Sequence, residues 1–174
     1  MNTTNTYVKS VYFIFTKRSD LLIIQEDTRQ KPDKNKHIRE QLEALGYTVR
    51  RFGGMAVGDY QILGKGNIVI DTKKDMNEVE SNLIHDHERF KNECLLAQEA
   101  GIRLIILIQD EKLKQLNDVF GWYNWRKKKN PKAVSGKTLH KIMVTMSDKY
   151  GVEWQFTSKN RCGEAIISLL EVSE

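Results

Sequence analysis

The sequence predicts an α/β protein built on a mixed central sheet with helices on both of its faces. Three observations carry this expectation. Two apolar runs, LLIIQ at 21–25 and IRLIILIQ at 102–109, are continuous rather than alternating, as strands are when both faces of their sheet are covered. Around them lie stretches whose apolar residues recur at helical spacing. The segment VGDYQILGKGNIVIDTK at 57–73 reads as two strands joined by a glycine-bounded turn, which makes one pairing antiparallel.

The elements follow in order. Residues 1–19 form a polar extension in which Tyr7 to Thr16 alternates enough for an accessory strand. LLIIQ is the first buried strand. Asp33 to Gly46 is an amphipathic helix with Ile38, Leu42 and Leu45 on one stripe and Gly46 as its stop. YTVRRF (47–52) is a short strand, and the hairpin comes next. Asn77 with Glu80 three residues on makes a capping box for one long helix ending before Gly101, its buried face Leu83, Phe90, Cys94 and Ala97. His87 falls on that stripe and is expected in the core or beside the site. IRLIILIQ is the second continuous strand, and Glu111 to Phe120 reads as a helix. Residues 121–137 are irregular, followed by a helix (138–149), a strand (151–157) and a last helix (160–171). With no repeat or linker, residues 1–174 are expected to form one domain, its core at 20–110 and its C-terminal helices and strand at 111–174.

Composition narrows the function. Lys and Arg number 28 against 23 Asp and Glu, a net charge of +5, and the pI is about 9.1, which suits a polyanionic partner without demanding one. Cys94 and Cys162 lack metal-ligand spacing and read as reduced thiols. The longest apolar runs are too short to span a bilayer. VYFIF is followed at once by Lys17-Arg18 with no basic stretch before it, so no signal peptide is expected, and the protein reads as cytoplasmic. Ser135-Gly136-Lys137-Thr138 echoes a phosphate-binding loop, but Pro131 stands where its first glycine is required. His85 and His87, two apart on a helix, do not face each other and make no joint metal site.

The hairpin carries the chemistry. Val69, Asp71 and Lys73 share one face of their strand, and Ile68, Ile70 and Thr72 the other. A three-residue loop, Gly64-Lys65-Gly66, pairs Leu63 with Asn67 and therefore Asp59 with Asp71. A four-residue loop would put the two aspartates on opposite faces. In the three-residue register their β-carbons lie about 4.5–5.5 Å apart, and like charges so placed need a cation or a shared proton. A hard divalent metal meets that need, since Mg²⁺ takes carboxylate oxygens and keeps several waters. Lys73 would position or deprotonate a water, or stabilise charge on a phosphoryl oxygen. The plain alternative is an exposed strand whose lysine offsets its acids.

Three stretches in order, IIQEDTRQ, VGDY and VIDTKK, resemble the nuclease domain of XPF-type structure-specific endonucleases, a branch of the PD-(D/E)XK, or restriction-endonuclease-like, superfamily. The resemblance runs from about Leu21 to Asp110 and more loosely onward to CGEAIISLL. It implies a restriction-endonuclease-like core and a metal-dependent DNA endonuclease, with branched or flapped DNA as a candidate substrate. It further implies that Asp59 and Asp71 hold Mg²⁺ or Mn²⁺ with the Thr72 carbonyl, that Lys73 orients the attacking water, and that Asp27 supports a ligand, a second metal or the water network. Arg29 and Arg89 match the family's basic positions. Gln30 replaces a glutamate, Asp71 the triplet's glutamate and Thr72 its arginine, which removes a phosphate-binding guanidinium. Glu88 and Glu93, on the following helix, are within reach of such a site but are assigned no role. Family members pair through this domain, so a homodimer, or a protein partner adding grip on DNA, is implied.

GWYNWRKKKNPK (121–132) interleaves aromatic and basic residues. Trp122, Tyr123 and Trp125 would stack on bases while Arg126, Lys127, Lys128 and Lys129 meet phosphates. The alternative has the aromatics anchoring a loop and the lysines solvated. For the whole chain, the alternatives to an enzyme are a catalytically inactive nucleic-acid-binding module of the same fold, or an assembly subunit.

Overall fold

A computed structural model describes residues 22–29 and 33–171. The strands are β1 (Ile23–Glu26), β2 (Thr48–Arg51), β3 (Tyr60–Ile62), β4 (Ile68–Lys73), β5 (Arg103–Gln109) and β6 (Glu153–Thr157). The helices are α1 (Lys36–Ala44), α2 (Met76–Ile84), α3 (His87–Glu99), α4 (Gly136–Tyr150) and α5 (Cys162–Glu171). All six strands join one sheet in the order β2-β1-β3-β4-β5-β6. β3 runs antiparallel to β1 and β4, and the other three pairings are parallel, so the sheet is mixed as predicted.

Side-chain alternation along β5 builds both halves of the core. Leu104, Ile106 and Ile108 pack on one face with Val69, Leu83, Phe90, Cys94 and residues of α4. Ile105 and Leu107 pack on the other with Ile24, Ile68, Ile70 and residues of α1 and α5. Helices therefore cover both faces, which is why β5 needs no polar position along its middle. Gly46, at φ +89°, ends α1: the Tyr47 and Gly46 amides return to the carbonyls of Leu42 and Glu43.

Several expectations give way. The accessory strand at Tyr7 to Thr16 lies outside the described residues, as do Leu21 and Gln30. The single long helix is two. Asp75, not Asn77, caps the first by accepting from the Glu78 amide (2.8 Å), while Glu78 accepts from the Lys74 amide. Glu80 is thereby free to be buried. The chain breaks at His85 and Asp86, whose amides both return to the Ser81 carbonyl (2.9 and 3.1 Å). That break changes the helical phase and turns His87 into solvent, while Phe90, Cys94 and Ala97 stay buried as predicted. The helix expected at Glu111 to Phe120 shrinks to a 3-10 turn, Leu116–Gly121, whose start is set by a reciprocal capping box between Gln115 and Asp118.

Candidate active site

β3 and β4 pair Tyr60 with Ile70, the register the three-residue loop predicts, although the regular ladder stops at Ile62 and the connection is longer. Val69 faces one half of the core and Ile68 and Ile70 the other, so Asp71 and Lys73 share a face as expected. Asp59 lies just beyond β3, where its amide donates to the Ile70 carbonyl (2.8 Å) and its carbonyl accepts from the Asp27 amide (2.9 Å). Its backbone is tied to strands on both sides.

Gly58 makes that approach feasible. At φ +69° it holds a conformation that side chains resist, and a β-carbon there would sit 2.3 Å from Val69 Cγ1. The Gly58 amide donates to Glu93 Oε1 (3.0 Å), which fixes α3 against the start of β3.

A cleft of about 400 Å³ opens at this point, lined by Asp27, Arg29, Asp59, Asp71, Lys73, Arg89 and Glu93 together with Ala56 and Gly58. The four acids and bases predicted for catalysis thus meet in one place. Asp59 is 3 % exposed, and Oδ2 accepts from both the Thr72 amide (2.9 Å) and the Thr72 hydroxyl (2.6 Å). Burial, then the charge of Asp71, push its carboxyl up to about 7 despite those bonds. Lys73 Nζ donates to both oxygens of Asp71 (2.9 and 2.7 Å). Burial would lower the Lys73 amine, but the charge and hydrogen bonds of Asp71, with the charge of Asp59, raise it instead, so it is an ammonium at neutral pH. Asp27, 1 % exposed, accepts from the Arg29 amide (2.7 Å) and from Arg29 Nε (3.0 Å). It orients that arginine, whose Nη2 also reaches the Met55 carbonyl (3.1 Å).

Glu93 is the member that sequence reasoning left without a role. Its signal was the four-residue spacing from Arg89, which puts both on one helical face. Glu88 is absent from the cleft lining and pairs with Lys91 (3.5 Å). The aromatic and basic segment does not line the cleft either. Trp122 is half-buried against the core, Tyr123 and Trp125 are exposed, and Arg126 is ion-paired with the buried Glu80. Lys127 is half-buried, and Lys128 and Lys129 are exposed.

Among the described residues, no three His, Cys, Asp or Glu side chains converge closely enough to hold a metal unaided. Two carboxylates nevertheless suit a hard cation that keeps most of its waters. The raised Asp59 carboxyl, buried beside a second acid, is what such a cation would relieve. Each Asp71 oxygen retains lone pairs beyond the bond to Lys73.

The mixed six-stranded sheet with helices on both faces is an α/β architecture of XPF-type, restriction-endonuclease-like fold. Two solved structures of XPF from Aeropyrum pernix, one of them in complex with DNA, share it: each has a TM-score of 0.61 and 18 % identity, over 87 % of this chain. This chain spans 64 % of the length of each. No protein-family model and no curated protein matches the sequence. Among the described residues no helix is long and apolar enough to cross a membrane.

Proposed function

We propose that this protein is an endonuclease that hydrolyses phosphodiester bonds in DNA with Mg²⁺ or Mn²⁺. The observation carrying this reading is the convergence of Asp59, Asp71 and Lys73, with two arginines, in one open cleft. Asp59 and Asp71 would hold the cation, which supplies Lewis-acid polarisation of a phosphoryl oxygen and acidifies water. Thr72 fixes the Asp59 carboxylate through its amide and hydroxyl, so that carboxylate is preorganised. Lys73, kept charged by Asp71, donates toward the oxygens that gain charge as the bond to phosphorus forms; an ammonium is no general base. Arg29, aimed by Asp27, and Arg89 seat the phosphate backbone on the cleft wall. Binding of DNA by one of the solved XPF structures supports the choice of polymer.

The test is cleavage of plain, flapped and branched DNA with Mg²⁺ or Mn²⁺. Asp71→Ala and Lys73→Ala are expected to abolish cleavage, and Asp59→Ala to abolish divalent-ion uptake in a calorimetric titration. Cleavage undiminished by both cleft substitutions would remove this assignment. DNA binding with neither metal uptake nor cleavage would make the chain a binding module instead.

A further inference from the structure

Trp125 and Arg126 form a ridge between two further hollows that the proposed catalysis does not use. One, of about 690 Å³, is lined by Lys34, Lys74, Asn77 and Ser81 with the acids Asp75 and Glu78. The other, of about 330 Å³, brings Lys129 and Lys132 to the far side of the same ridge. The first is lined by Lys74, the residue after the cleft's Lys73.

The ridge is built to be held still. Asn124, 1 % exposed, donates to the Val134 carbonyl (2.9 Å), and the buried Glu80 takes the Arg126 guanidinium. Arg126 is therefore an anchor, and what it anchors is Trp125, which is 52 % exposed. A large rigid ring left in solvent on a fixed turn is a stacking surface. The acids nearby are engaged within the fold: Asp75 caps α2, Glu78 holds Lys34 Nζ (3.0 Å), and Glu80 holds Arg126. Lys74, Lys129 and Lys132 are exposed and make no ion pair among the described residues.

An exposed aromatic face flanked by three exposed lysines that make no ion pair among the described residues matches an unpaired strand, whose bases stack and whose phosphates follow the cations. A duplex would keep its bases inward and leave Trp125 idle. We propose that this ridge binds the single-stranded segment of a DNA substrate beside the cleft, one base stacked on Trp125 and phosphates on Lys74, Lys129 and Lys132. The identity of that substrate rests on the nuclease reading above; the binding itself does not.

The test uses the full chain in EDTA at low salt, with a fluorescein-labelled oligo-dT and the matching duplex, read by anisotropy and by quenching of tryptophan emission. The native chain is expected to bind oligo-dT more tightly than the duplex, with emission quenched. Trp125→Ala is expected to weaken oligo-dT binding about fivefold or more, while Trp125→Phe retains most of it. Lys129→Ala with Lys132→Ala should flatten the salt dependence, each lost phosphate contact lowering the slope by about 0.7. Circular dichroism melting confirms that each variant is folded. Equal affinity of Trp125→Ala and the native chain, tighter duplex binding, or no DNA affinity at all would overturn the proposal. Because EDTA suppresses cleavage, loss of the nuclease reading and loss of this one are separate results.

Discussion

Replacing Asp59 by asparagine is expected to make the metal-free protein more stable at neutral pH and to flatten its stability between pH 4 and 7. In the folded chain burial and then Asp71 raise the Asp59 carboxyl from 3.8 to about 7. The sign follows from linkage. Below the unfolded value the group is protonated in both states and contributes nothing. As pH rises toward the folded value, the unfolded chain gives up the proton and the native chain keeps it, so stability falls; above that value the loss is complete. A displacement of about three pKa units corresponds to about 4 kcal/mol at the limit. Asparagine keeps the side-chain oxygen that accepts from the Thr72 amide and hydroxyl and removes the ionisation. Urea unfolding of both proteins at several pH values in EDTA measures the difference. It should be small near pH 4 and grow to a few kcal/mol in favour of Asp59→Asn by pH 8. Adding Mn²⁺ should then stabilise the native chain and not the variant, reversing their order. Parallel stability curves across the whole range would refute the idea that Asp59 and Asp71 are a strained acid pair.

Three further outcomes follow from the same contacts. Thr72→Val removes the hydroxyl bonded to Asp59 at 2.6 Å inside the core and is expected to cost about 1–3 kcal/mol of stability, measured by urea unfolding. Gly58→Ala meets both a φ of +69° and Val69 Cγ1 at 2.3 Å, so it is expected to lower the melting temperature and displace Asp59, with activity lost even below the melting temperature. Arg126→Ala strands the buried Glu80, whose other partner is Asn124 at 3.4 Å; it is expected to destabilise the chain by about 3 kcal/mol, and Glu80→Gln in the same chain should recover part of this loss.

What the sequence made legible is what depends on periodicity. The β3–β4 register could be counted from a two-residue alternation and a glycine-bounded loop, and the sides of β4 followed. The two-sided sheet was visible because β5 is apolar throughout. The break between α2 and α3 was not, since no glycine or proline marks SNLIHDHERF and both halves keep helical spacing. Only the return of the His85 and Asp86 amides to Ser81 ends the first helix, and with it the phase that placed His87 inward. Glu93 was hidden for a similar reason: its partner is a backbone amide 35 residues away, and no side-chain pattern encodes that bond.

Thr72 shows why the site is better judged by contacts than by motif. At the position where XPF-type nucleases carry arginine, a guanidinium would add charge for the phosphate. In this chain the side chain instead points back at Asp59, and Asn35, 2 % exposed, donates to the same hydroxyl (3.4 Å). An arginine in that buried place would put its charge under β4, on the half of the core that holds Ile68 and Ile70. The cations facing the cleft come from other elements: Arg29 after β1 and Arg89 on α3. The cleft's arginines thus come from outside β4, and position 72 is given to holding a carboxylate. Thr72→Arg should accordingly fail to restore a family-like site. Its expected result is a lower melting temperature and a mobile Asp59, whereas Arg29→Ala or Arg89→Ala should weaken DNA binding with the melting temperature nearly unchanged.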